Sequence, residues 1–263
     1  MIRSESKYLG VFRICEISFA DEPFEVSGYD AVVFRGCVRK VPMSGFESAM
    51  HTSAVIDLTM PLEKIWERLD KDTRRRIKIV EKQHDAEIRM DSDYDSFAYL
   101  FRKFNISKKL PLVELGNLKA ESGHLLTGWY KGSIVLGAFY SDANERIVFT
   151  RGCSALPFTE GDDRVTIGNL NRLMHWKAMQ IAKKEGYAQL DMGAAEADTK
   201  EAGGSISRFK LAFGGQLAPR YNYVKDYSPL LGIVRQVIKI STNTAHRLGM
   251  HNLPFKSLGK GYI

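Results

Sequence analysis

The residues best placed to do chemistry fall in two neighbouring segments, YAQLDMG at 187–193 and ISRFKLAFGG at 206–215. Ser205 is expected to cap a short helix over the second segment, with Arg208 and Lys210 in its first turns. Ile206, Phe209 and Phe213 recur at i, i+3 and i+7, the spacing of a buried face, so the two cations point away from the core. The first segment reads as a buried strand that closes with Asp191 and Gly193 at the carboxyl edge of a sheet, where open α/β sheets present ligand groups. Lys210 and Asp191 are therefore expected beside one cleft. A fixed lysine there can supply positive charge where an oxyanion develops during a reaction.

A second cationic group is Arg74, Arg75, Arg76 and Lys78, at the start of an expected helix. Consecutive side chains step round a helix by about 100°, so no more than two of three adjacent arginines can address one ligand. Cations near a helix N-terminus also oppose the macrodipole, at a cost of a few tenths of a kcal/mol unless an anion compensates. Arg151, Asn169 and Trp176 complete the candidate binding residues. His175, next to Trp176, is read as a packed surface histidine or a residue lining the cleft. The six histidines form no HxxxH or HxH pair, so no metal site is expected. Gly203-Gly204 and Gly214-Gly215 lack the GKS/T sequel of a phosphate-binding loop and read as turns flanking the short helix.

Several elements must position these residues. Strands are expected at YLGVFRICEI, DAVVFRG, a short piece around CVRKV ended by Pro42, and SAVIDL. Thr59 reads as the N-cap of a helix with Leu62, Ile65, Trp66 and Leu69 on its apolar side, and Asp72 or Thr73 as the cap of the Arg-rich helix. The strand AEIRM ends this half. A helix over Tyr94–Phe104 and a further helical stretch before Gly123 then lead into HLLTGWY, SIVLGAFY and RIVFTRG, a three-stranded antiparallel meander. After the loop SALPFTEGDD, Asn169 is expected to cap a helix closed by Gly186, followed by the Asp191 strand, the Lys210 helix and a final strand QLAPRYNYV. The order is that of an α+β fold with a parallel pair where helix returns to strand.

IGNLNRLMHWKAMQIAKKEGYAQLDMGAA and ISRFKLAFGGQLAPRYNYV resemble the C-terminal module of the FemAB-like branch of the GNAT acyltransferase superfamily, which includes the peptidoglycan-bridge aminoacyl transferases. A helix ending in Gly before a strand closing in Asp-x-Gly carries the resemblance, together with Phe209-Lys210 three residues before Phe213-Gly214-Gly215. VIDLTMPLEKIWERLDKDTRRRIKIVEKQHDAEIRM resembles the family's helix pair. The resemblance implies a GNAT-like mixed sheet with flanking helices, built as an abbreviated N-terminal half over 1–92, a complete module over 93–224, and a basic C-terminal helix and tail over 225–263. It implies Lys210 as the residue that stabilises the transition state, with Arg208, Phe209, Asp191 and Gly193 around it. It also places the basic residues at 74–78 near the phosphates of a nucleotide-linked or lipid-linked substrate. The implied reaction is N-acyl transfer from aminoacyl-tRNA or acyl-CoA to an amine acceptor, with no tightly bound cofactor. The chain departs from the family in its shorter length and in lacking the long charged helical hairpin that some members insert. The RxxGxG/A loop that cradles coenzyme A pyrophosphate has no clean match, the nearest string being DDRVTIGNL, with Arg164 and Gly168 wrongly spaced.

Composition sets the outer limits. With 263 residues, 44% hydrophobic and 26% charged, the chain can bury a core and is neither disordered nor fibrous. Cys15, Cys37 and Cys153 form no CxxC pair, which points to a reducing cytoplasm rather than a disulfide framework or zinc site. The net charge is +7, and residues 220–263 hold seven cations against one acid, Asp226, so that stretch carries six of the seven charges. Within it PLLGIVRQVIKI reads as a helix that docks on the protein or lies on an anionic membrane, followed by an arm without periodicity. The competing reading is a non-catalytic GNAT-fold module that holds nucleic acid or a membrane surface through this tail.

Overall fold

A computed structural model describes residues 1–112, 115–116, 118–196 and 204–235. Ten strands and five helices follow in chain order: β1 Ile2–Tyr8, β2 Phe12–Ser18, β3 Ala31–Cys37, β4 Glu47–Asp57, α1 Leu62–Arg68, α2 Lys71–Val80, β5 Ala86–Met90, α3 Tyr94–Ser107, β6 Gly123–Tyr130, β7 Ser133–Ala143, β8 Arg146–Ser154, α4 Gly161–Lys184, β9 Gln189–Ala194, α5 Gly204–Leu211 and β10 Gln216–Asp226. The α+β class and the mixed sheet with flanking helices are as the sequence implies. Contacts divide the chain into two units, Met1–His51 with Pro219–Ile263, and Thr52–Ala218. This division runs at 51/52 and 218/219, whereas the sequence reading placed boundaries at 92/93 and 224/225. The difference has a simple origin: β5 pairs with β6, so the strand that was expected to end the first half packs with the meander instead.

In the Thr52–Ala218 unit the strand order is β4-β9-β8-β7-β6-β5. Only β8 and β9 pair parallel; the other neighbours are antiparallel. Alternating side chains cover both faces. Leu126 of β6 and Leu136, Ala138 and Tyr140 of β7 join the core under α1, α2 and α4. Leu125 and Phe139 face the other way, toward Phe97 and Leu100 of α3. Gly137 is required there, since a Cβ on it would lie 2.2 Å from the Phe97 ring.

The other unit orders its strands β1-β2-β3-β10, with β2 and β3 parallel. Ala31 and Val33 pack with Leu231 on one side of β3, and Val32 and Phe34 with Tyr223 on the other, which explains the unbroken apolar run AVVF. Residues 229–235 are helical and Leu231 is wholly buried, so this part of PLLGIVRQVIKI docks on its own unit. The remainder of that helix and the arm after it lie outside the described residues.

Local expectations fail where a closer hydrogen-bond partner wins. YLGVFRICEI is two strands, because Leu9 and Gly10 adopt positive φ and turn the chain between β1 and β2. The piece around CVRKV is not a strand. Thr59 does not cap α1; its N–H and hydroxyl donate to Asp57, and Pro61 occupies the cap position. Asp70, not Asp72 or Thr73, caps α2 by accepting from the Thr73 N–H. Helix α4 starts eight residues before Asn169, at Gly161, where Asp162 and Asp163 sit favourably against the macrodipole.

Candidate active site at the parting of two parallel strands

Strands β8 and β9 pair in register only from Arg146 with Gln189 to Val148 with Asp191. Beyond that point the two strands continue without pairing, and their carboxyl ends open a mouth. Asp191 lies at the opening, 4% exposed, and its Oδ1 accepts from the Ser53 hydroxyl at 2.7 Å and from the Gly193 N–H at 2.8 Å. A bulge in β4 between Ser53 and Val55 re-aims Ser53 onto the carboxylate. Gly193 takes φ +79°, and a Cβ there would stand 3.5 Å from Lys210 Nζ.

Lys210 reaches back from α5 and donates to the Ala194 carbonyl at 2.7 Å. Burial lowers its pKa, and the Asp191 charge opposes that shift. An ammonium carries three donors, so two remain for a bound group. Segment 194–196 is itself fixed: the Ala195 N–H donates to the Thr52 carbonyl, and the Glu196 N–H donates to the Ser207 hydroxyl. Ser207 is buried where Ile206 was expected to be, and Ile206 is 62% exposed. The i, i+3, i+7 pattern fails at its first position because the inward slot is used for this hydrogen bond. Arg208 is exposed on the same helix.

Beneath Lys210 lies an aromatic floor. His175 of α4 is edge-on to Phe149, Phe209 and Phe213 at 5.3, 5.5 and 5.5 Å between centroids, and its Nδ1 is 2.6 Å from the Tyr140 hydroxyl. It is therefore a core residue, not a surface histidine. Burial, with Lys210 and Arg172 nearby, pushes its pKa down to about 3, so the ring is neutral. Arg172 of α4 lies over the Phe209 ring at 5.3 Å and donates to the Gly168 carbonyl. Its charge is disfavoured first by burial and then by Arg76.

The four cations of α2 divide between two faces. Arg76 pairs with Asp72 of its own helix and turns toward α4, where it lies 3.4 Å from Asn169 Oδ1. Arg74, Arg75 and Lys78 line an open groove of about 460 Å³ with Trp66, and Arg75 is also paired with Asp72. Asn169 is buried within α4 and is no cap. Trp176 does not line the mouth: it is buried against Trp66 at 4.9 Å. Arg151 is also elsewhere, held by two bonds to Glu121 and stacked on Phe139, on the α3 side of the sheet. Ser53, Tyr140, Phe149 and Arg172 escaped the sequence reading. Ser53 and Asp191 are 138 residues apart with no local pattern linking them. No helix among the described residues is long and apolar enough to cross a membrane.

No known family profile matches the sequence, and no curated protein matches it significantly. Solved structures do match. FemX aligns with 88% of this chain and 85% of its own at TM-score 0.63 and 11% identity. The C-terminal domain of a putative lysylphosphatidylglycerol synthetase from Agrobacterium fabrum aligns over 74% of this chain and 68% of its own, at TM-score 0.51 and 13% identity. L-PGS from Bacillus licheniformis aligns over 78% and 71%, at TM-score 0.50 and 14% identity. The chain thus has the fold of FemX and L-PGS, and its resemblance to the FemAB-like branch holds at the level of the fold.

Proposed function

We propose that the protein transfers an activated aminoacyl or acyl group to an amine at the mouth between β8 and β9, with Lys210 as the oxyanion-stabilising residue. The supporting observation is the Lys210 ammonium, tethered to the Ala194 carbonyl beside buried Asp191 at the carboxyl ends of two parting parallel strands. The amine attacks the acyl carbon, a C–N bond forms, and the donor's C–O or C–S bond breaks. The nitrogen loses a proton and the leaving atom gains one, so the exchange is proton-neutral. Lys210 donates to the oxygen that carries negative charge between these steps, and the Ala194 tether limits the reorganisation this needs. Asp191 keeps the ammonium charged against burial, and Ser53 and the Gly193 N–H hold that carboxylate in place.

Aminoacyl-tRNA is the donor favoured over acyl-CoA. The sequence has no clean RxxGxG/A match, the nearest string lying within residues 161–170 of α4, and the net charge of +7 suits a polyanionic donor. Arg172, which lies over Phe209, and Arg76, close enough to act on its charge, hold the anionic part of a nucleotide-linked or lipid-linked acceptor. Asp72 already pairs with Arg76 and offsets part of the charge, and a bound anion would compensate the remainder. Thermal shifts with charged tRNA, acyl-CoAs and UDP-linked precursors identify the substrates. Turnover then tests the assignment: Lys210→Met should lower kcat by roughly 10²–10³ with little change in KM, the loss typical of one oxyanion donor. An unchanged kcat refutes the role of Lys210.

A further inference from the structure

Helix α3 is apolar on two sides. Phe97 and Leu100 are buried against the sheet. On the opposite side Tyr99 and Ile106 are 64% and 57% exposed, separated by Arg102 and Lys103 at the i, i+3, i+4, i+7 spacing of a single face. The chain folds back after the helix, with the Lys109 N–H donating to the Ile106 carbonyl and the Leu110 N–H to Asn105. This brings Leu110 beside the helix end, and Leu112, 60% exposed, follows two residues on. Phe158 joins the patch from the segment before α4, because Lys103 Nζ lies 5.4 Å from both the Tyr99 and Phe158 ring centroids. Among the described residues, Arg102, Lys103, Lys108 and Lys109 make no ion pair.

Cations near a helix C-terminus are ordinary, since the macrodipole favours them. Five exposed large apolar side chains interleaved with them are not, because contiguous exposed apolar patches mark interaction surfaces. We infer that this face of α3 and its following turn docks on an anionic lipid surface, with Tyr99, Ile106, Leu110, Leu112 and Phe158 entering the interface and the four cations meeting the headgroups. An RNA partner would use the cations but gain nothing from exposed Ile106, Leu110 and Leu112. A second copy of the chain, meeting this face with its own, would set four cations against four. Interfacial segments of this kind combine an apolar face with Lys and Arg whose stems lie along the apolar boundary.

The test is sedimentation of the full chain with phosphatidylcholine vesicles containing about 30 mol % phosphatidylglycerol, against phosphatidylcholine alone. Binding to the anionic vesicles only is expected. Ile106→Ser with Leu112→Ser removes apolar surface without changing charge, and should weaken binding roughly tenfold or more. Arg102→Gln with Lys108→Gln should weaken it by about 25-fold, at roughly fivefold for each cation near an anionic surface. All four side chains are exposed, and far-UV circular dichroism confirms that the variants fold. Failure of the wild type to sediment overturns the inference. So does unchanged binding by both variants, which would move the contact to the basic C-terminal tail, or loss with the charge variant alone, which would make it a polyanion contact. Dissociation of a dimer by the apolar variant would mark a contact between copies and likewise overturn it.

Discussion

Tyr140 and His175 form an isolated polar pair inside the aromatic floor, and removing one hydroxyl tests how that floor is held. Both residues are almost wholly buried, and the Tyr140 hydroxyl is 2.6 Å from His175 Nδ1. Tyr140→Phe deletes a single atom and leaves no cavity large enough for water, so the cost is that of an unsatisfied ring nitrogen. Such a group costs about 1–3 kcal/mol, which for a chain of this length lowers Tm by roughly 2–12 °C. His175→Leu removes the nitrogen as well as ring contacts and orphans the hydroxyl instead. The double variant has neither orphan, so its loss should fall short of the sum of the single losses by about 1–2 kcal/mol. Chemical denaturation of all four proteins at neutral pH, where His175 is uncharged, measures this coupling. A coupling below about 0.3 kcal/mol, within the usual error of additivity, refutes the claim that the pair is a buried, water-excluded hydrogen bond.

Gly214→Ala should destabilise strongly, by more than the ~1 kcal/mol of a positive-φ alanine, because its Cβ would lie 2.8 Å from Arg68 Cβ and 2.9 Å from the Arg68 carbonyl oxygen; a Tm within 2 °C of wild type, about the shift expected from 1 kcal/mol, contradicts the packing. His124 sits between Asp91 and Glu185, each 2.8 Å from a ring nitrogen. Burial lowers its pKa, but the two carboxylates outweigh burial and the net shift is upward. Its stabilising contribution is therefore complete below about pH 6.5, the unfolded value, and fades as pH rises through the higher folded value. Thermal melts of wild type and His124→Gln should differ most at mildly acidic pH and converge in alkali; a constant difference refutes the linkage. Ser53→Ala should lower kcat with little loss of fold, since Asp191 keeps the Gly193 N–H but loses one of its two described donors; an unchanged kcat removes Ser53 from the site.

The C-terminal half was readable because local signals agreed with one another. The meander has its turns, Gly186 in positive φ closes off α4 just past its cap Glu185, and the strand bearing Asp191 follows directly. Lys210 and Asp191, nineteen residues apart, could be brought together from sequence because one strand and the next helix fix both. Residues that meet only through the sheet could not. Ser53 reaches Asp191 through a bulge, and Tyr140 and Phe149 meet His175 across two strands and a helix. Polar residues read as caps or ligands went astray for a related reason: Asn169, Trp176 and Arg151 look available in sequence, but tertiary partners had claimed them. The three adjacent arginines behaved as helix geometry requires, with Arg76 on one side and Arg74 and Arg75 in the other groove.

The division of the chain also bears on how it is made. The unit Thr52–Ala218 is one continuous segment, whereas the other is assembled from both ends of the sequence. During synthesis, strands β1, β2 and β3 emerge first, but β10, which pairs with β3, is completed only at Asp226. For the time needed to translate the intervening residues, at about 5–20 residues per second, one edge of β3 has no strand to pair with. The continuous unit can close around its own core in that interval. The nascent chain is thus most exposed to aggregation through β1–β3, and a ribosome-bound chaperone would find its binding site there rather than in the continuous unit.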